Sequence, residues 1–198
     1  MAQTITDDDL DELELSGRGD DHSRHVAMTA IAWAEDPARF VLEEPLTPAH
    51  LLLVAAEHLE MLGELDEAWV VANRAAEHPT AAPFEALSTL VSIRLAQGDL
   101  TAATELLDGY RRAGAITADL AAQLADVIEA SPVVDDEAGA MRLAERWANI
   151  ALLALERDGG HMTDYRTALG VRYRTRRARG AQHDELDDDF VDEFDAAE

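Results

Sequence analysis

Metal and acid–base chemistry in this chain would fall to its seven histidines and forty-one carboxylates, because cysteine is absent. The nearest approach to a metal set is His22-x-x-His25 beside Asp20 and Asp21. Residues three apart on a helix share a face, which is how paired imidazoles reach one zinc ion. A zinc site needs further ligands, and neither a His-Glu-x-x-His run nor a downstream cluster provides them. Glu57-His58 follows His50 but lacks the second histidine of a zincin helix. These histidines read as polar helix positions, and no metal is assigned. Carboxylate pairs recur throughout so acidic a chain, so no single pair marks a general acid and its base. No nucleophile elbow, phosphate-cradling glycine loop or dinucleotide fingerprint occurs, and Gly159-Gly160 before His161 reads as a helix terminator. Neither an enzyme nor a cofactor is expected.

The arginines offer another chemistry. From His161 to Gly180 there are six of them, Arg166, Arg172, Arg174, Arg176, Arg177 and Arg179, against one acid, Asp164. With Tyr165 and Tyr173 interleaved, such a helix could follow a phosphate backbone and stack on bases. From Ala181 to Glu198 come nine acids and no arginine, with Leu186, Phe190 and Phe194 recurring at four-residue spacing and Val191 beside them. Adjacent blocks of opposite sign point either to a tail folded back on the helix or to two separate interaction surfaces. An acidic segment with such anchors can also fold as an amphipathic helix in a partner's groove.

The formal net charge of −25 repels phosphate over long range, so nucleic acid or an anionic membrane is not expected to meet the whole surface. Nucleic acid would be reached only through residues 161–180, and basic protein segments are the favoured partners. All sixteen basic residues are arginine, which together with abundant alanine reads as coding bias. Scarce aromatics and frequent alanine suit close-packed helices better than a sheet-built core. The 198 residues allow one domain with a sizeable core. Residues 1–9 lack the positive region and apolar run of a secretory signal, and no apolar stretch approaches a membrane span. The chain reads as cytosolic.

What must position these side chains is a set of helices, part of which repeats. Gly63-Glu64-Leu65-Asp66-Glu67-Ala68 returns thirty-five residues later as Gly98-Asp99-Leu100-Thr101-Ala102-Ala103. Each copy follows an apolar helical stretch, Leu51 to Leu62 and then Phe84 to Gln97, and opens a second helix. A fixed period of this size predicts stacked helical hairpins. In the first, Thr47-Pro48 supplies an N-cap and a first-turn proline, and Asp66 is expected to cap the second helix. In the second, Leu87, Leu90, Val91 and Leu95 face inward, followed by Ala103, Leu106, Leu107 and Tyr110. A third, less regular hairpin runs from Thr117 to Ala130 and from Asp135 or Asp136 through Trp147 to Leu155. Ahead of them, a helix is expected from about Ser23 through Trp33, then a short one from Ala38 to Leu42. Residues 1–20, with seven acids against one arginine, read as a flexible leader.

The two clear copies resemble tetratricopeptide repeats. Gly63 and Gly98 match that family's turn glycine, and Ala68 and Ala103 the small residue five positions on. Ala75 matches a later small position where the second copy has Tyr110, and Ala56 matches one where the second has Val91. Leu52 and Leu87 stand where helix A usually carries tryptophan or tyrosine, and Pro79 falls one residue early for the terminal proline. The resemblance implies a groove lined by helix A residues: His50, Leu53, Glu57 and Glu60 from the first copy, and Glu85, Ser88, Ser92 and Leu95 from the second. The lysine and asparagine with which some members clamp a C-terminal carboxylate are absent there, and the acidic lining implies a basic or amphipathic peptide. The same groove could instead be filled by the chain's own helices. The expected fold is all-α, a short right-handed solenoid of about three hairpins over residues 21–158, then an arginine-rich helix over 161–180 and an acidic tail over 181–198. The expected function is a non-enzymatic protein-binding adaptor or scaffold. The alternative is a nucleic-acid-associated regulator whose arginine helix is masked by the tail.

Overall fold

The computed structural model describes residues 2–82, 84–114, 116–131, 136–182 and 184–188. Helix dominates, with a single two-stranded sheet among the described residues. The chain divides into two compact units, Met1–Ile93 and Arg94–Glu198. The division falls inside α5 (Leu87–Ala96), the helix that opens the second repeat copy.

The first unit begins with structure where composition predicts a flexible leader. Strand β1 (Gln3–Ile5) lies parallel to β2 (Phe40–Leu42), with Ile5 opposite Leu42. A helix expected over 38–42 is thus a strand: Phe40-Val41-Leu42 suits an extended backbone, and β1 gives it a partner. Thr6 then starts α1 (Asp7–Leu15) through a capping box. The Asp9 N–H donates to the Thr6 hydroxyl at 3.2 Å, and the Thr6 N–H donates to the Asp9 carboxylate at 2.8 Å. Both Thr6 bonds hold the Asp9 carboxyl below its ordinary range. Ile5 and Leu10 are buried, so caps and two apolar anchors order this acidic segment.

Helix α3 (Pro48–Met61) packs against both α2 (Asp20–Glu35) and α4 (Leu65–Glu77). The Thr47 hydroxyl caps α3 by accepting from the His50 N–H at 3.0 Å, with Pro48 in the first turn. Leu51, Leu52, Leu53, Val54, Ala55, Ala56 and Leu59 are all buried, so α3 is enclosed on most sides. Ala27 and Ala30 of α2 and Ala68, Ala72 and Ala75 of α4 have no exposed surface. Side chains this small let helices approach closely. Asp66 is not the cap of α4: that helix starts at Leu65 after Glu64, and Asp66 sits in its first turn.

The repeated segment has one local geometry in both copies. Gly63 and Gly98 take left-handed φ values of 74° and 77°. Their N–H groups bond back to Glu60 and Leu95, and the following N–H groups of Glu64 and Asp99 reach the carbonyls of Leu59 and Arg94, each at 2.9 Å. This is the Schellman closure, which favours glycine. Ala68 and Ala103 are both fully buried.

In the second unit, α6 (Leu100–Ala113) is capped by the Asp99 carboxylate, which accepts from the Ala102 N–H at 2.8 Å. Helices α7 (Ala118–Ala130), α8 (Glu137–Asp158) and α9 (Met162–Ala178) pack on one another pairwise, with Leu124, Ile128, Trp147 and Leu169 fully buried. Asp136 caps α8 through the Gly139 N–H, and a Cβ on Gly139 would stand 2.2 Å from that carboxylate. The arginine helix is therefore not an appendage to the repeats: α9 is a core element. Met162 is 62% exposed, and the inward residues are Ala168, Leu169, Val171, Arg172 and Thr175. Residues 185–188 form a short helical turn after it. No helix among the described residues is long and apolar enough to cross a membrane.

Candidate protein-binding site

Helix α3 spaces His50, Leu53, Glu57 and Glu60 along one side, and the structure brings three of these onto residues of α5 and the turn before it. The Thr89 hydroxyl donates to Glu57 at 3.3 Å, and the Ser92 hydroxyl donates to Glu60 at 2.5 Å. His50 Nδ1 stands 3.7 Å from Glu85. His58 Nε2 stands 3.4 Å from the Glu14 carboxylate at the end of α1, and His22 Nε2 lies 2.9 Å from the Glu14 carbonyl. Six of the eight expected groove residues thus lie where side chains meet or reach solvent, with Ser88 half-buried among them. Two do not. Leu53 and Leu95 are buried in the core, because their apolar side chains serve folding at positions where the repeat pattern implies contact with a partner.

The electrostatics of this face are unusual for so acidic a chain. Burial pushes the Glu57 carboxyl above its ordinary range, with the Thr89 hydroxyl partly offsetting it and Glu14 adding to it. Burial does the same to Glu60, against the pull of Ser92. Among the described residues the hydrogen bonds to these carboxylates come from hydroxyls. Two strongly exposed apolar side chains end the helices that carry these groups, Leu15 at 84% next to Glu14 in α1 and Met61 at 71% next to Glu60 in α3.

The second set of expected contacts is largely consumed inside the chain. Arg172 is buried and donates to Asp187 and Asp184, each at 2.5 Å, and to Asn149 at 3.0 Å. Arg176 spans Asp187 at 3.0 Å and Glu145 at 3.2 Å, and Arg179 reaches Glu145 at 2.8 Å. Arg174 holds Glu129 at 2.5 Å. Asp187 is 2% exposed, and the Arg172 guanidinium holds the Asp184 carboxyl below its ordinary range. Of the two possibilities left open by the charge blocks, the first part of the tail is folded back. Arg166 and Arg177 remain exposed. Leu186 is 37% exposed, while Phe190 and Phe194 lie outside the described residues.

No protein-family model, curated protein or solved structure matches this chain. The functional reading therefore rests on the residues themselves. Among the described residues no group of three histidines or carboxylates could hold a metal ion, and His22 is turned instead to the Glu14 carbonyl. The α1 contacts are the part that sequence reasoning missed. Their signal was present as Thr6-x-x-Asp9, a capping box ahead of Leu10.

Proposed function

We propose that this protein is a non-enzymatic adaptor that binds a basic, amphipathic segment of a protein partner on the face formed by α3 with Glu14, Leu15 and Glu85. One observation carries the reading. The Glu57 and Glu60 carboxyls are both raised by burial and, among the described residues, bonded to hydroxyls. A carboxylate in that state gains from an incoming guanidinium or ammonium, because charge-assisted hydrogen bonds are about twice as strong as neutral ones. The exposed Leu15, next in sequence to Glu14, and Met61, next to Glu60, would supply the apolar contacts that a helix-in-groove partner requires. The shared turn geometry at Gly63 and Gly98 supports reading the two copies as tetratricopeptide-like units.

The test is a titration of full-length protein into a fluorescent peptide alternating leucine and arginine at helical spacing. Saturable binding that falls at least tenfold in Glu57→Gln/Glu60→Gln, with folding intact, is the expected result. Equal affinity for the double variant would sink this reading. The regulator reading has less support, since Arg172, Arg174, Arg176 and Arg179 already hold carboxylates of their own chain.

A further inference from the structure

On the outer side of α8, Arg142, Arg146, Ile150 and Leu153 follow one another at helical spacing, and Arg111 of α6 and Arg179 of α9 complete an open cleft. This cleft is cationic in a chain whose net charge is −25. The carboxylates beside it are each shared by two arginines: Asp108 stands 2.8 Å from Arg146 and 3.9 Å from Arg111, and Glu145 serves both Arg176 and Arg179. Arg142 is exposed and makes no ion pair among the described residues. Leu153 at the other end is 65% exposed. The cleft lining carries four arginines against one carboxylate, Glu145, and its apolar end is open.

Residues 189–198, Asp-Phe-Val-Asp-Glu-Phe-Asp-Ala-Ala-Glu, have the complement in sequence: five acids, no base, and Phe190 and Phe194 four apart. We propose that this segment docks in cis into the α8 cleft, its acids on Arg142 and Arg146 and its phenylalanines on Ile150 and Leu153. The point of attachment argues for this occupant over any other. Asp187 is fixed by Arg172 and Arg176, and Arg176 reaches at its other side to Glu145, a wall of the cleft. From Glu145 to Leu153 is about 12 Å along α8 at 1.5 Å per residue. Ten further residues reach about 15 Å as a helix and about 33 Å extended, so either form spans the cleft. A tether this short holds the segment at millimolar effective concentration, at which even a weak contact is populated.

The chain has no native cysteine, so two spin labels can be placed without removing any. The full-length protein carrying Glu156→Cys and Ala196→Cys, diluted in unlabelled protein, is measured by double electron–electron resonance. A narrow, short distance peak is expected, and it should broaden and lengthen on adding Arg142→Glu and Leu153→Asp, both at exposed positions. A broad distribution in the parent protein, or the same narrow peak in the variant, would overturn the proposal. So would a peak found only on mixing singly labelled chains, which would assign the cleft to the tail of a second copy.

Discussion

At the scale of single residues, what distinguishes this molecule is how it treats its acids. Glu60 is raised by burial and accepts a hydrogen bond from Ser92, whereas Asp187 is buried against two arginines. The two should respond oppositely to substitution. A carboxyl raised in the folded state favours the protonated form, so its burial weakens folding above the folded value, and the loss disappears as pH falls toward the ordinary glutamate range. Glu60→Gln should therefore raise the thermal midpoint near neutral pH by about 1–2 °C, the size a fraction of a kcal/mol gives in a chain this long. The gain should vanish at low pH; a lower midpoint for the variant at pH 7 would contradict the assignment. Arg172 behaves the other way. Arg172→Ala leaves Asp187 as a buried, partly unpaired charge and should cost about 3–5 kcal/mol in denaturant unfolding. Arg172→Met with Asp187→Leu should recover most of that, since a well-packed apolar pair is often as stable as the ion pair it replaces. Asp184 has its carboxyl lowered by Arg172, so its share of the tail's hold is present at neutral pH and fades as pH falls through the lowered value.

At the scale of elements, the caps decide what the composition could not. Thr6→Ala removes one half of the box that starts α1 and should cost about 1 kcal/mol, with hydrogen exchange rising across residues 7–15 and little beyond. Exchange unchanged in α1 would mean that Ile5 and Leu10 alone hold it. Gly63→Ala and Gly98→Ala should each cost about 1 kcal/mol, because both positions require the left-handed conformation. Much of this was legible beforehand: Thr47-Pro48, the two Gly-acid turns and the apolar stripe of α3 all appear where helical period and caps put them. Three things were not. Ala38–Leu42 has too few residues to carry a period, and only pairing with β1 makes it a strand. The inward place of Arg172 in α9 does not show in the sequence, because it counts as polar until Asp184 and Asp187 are seen beside it. Leu53 and Leu95 were assigned to a groove by register, and only packing shows that they are core. At the site, the α3 acids were found by register too, but their hydroxyl partners and the approach of Glu14 are tertiary.

At the scale of the whole molecule, forty-one acids against sixteen arginines leave self-repulsion that folding must overcome. Exposed ion pairs such as Arg157–Asp158 or Arg174–Glu129 add little to stability, and salt screens them further. Screening of the net charge should win, so the thermal midpoint should rise between 0.02 and 0.3 M sodium chloride, the range over which the Debye length falls from about 20 to about 6 Å. A falling midpoint would mean that the ion-pair network dominates. The same excess of acid selects partners, and the adaptor reading stands on that selection acting through α3. The most direct measurement is native co-purification of the tagged full-length protein, nuclease-treated, in parallel with Glu57→Gln/Glu60→Gln. The reading predicts a protein retained by the parent after nuclease, lost from the variant, and released by salt. A partner held equally by both, or partners that vanish with nuclease, would contradict it.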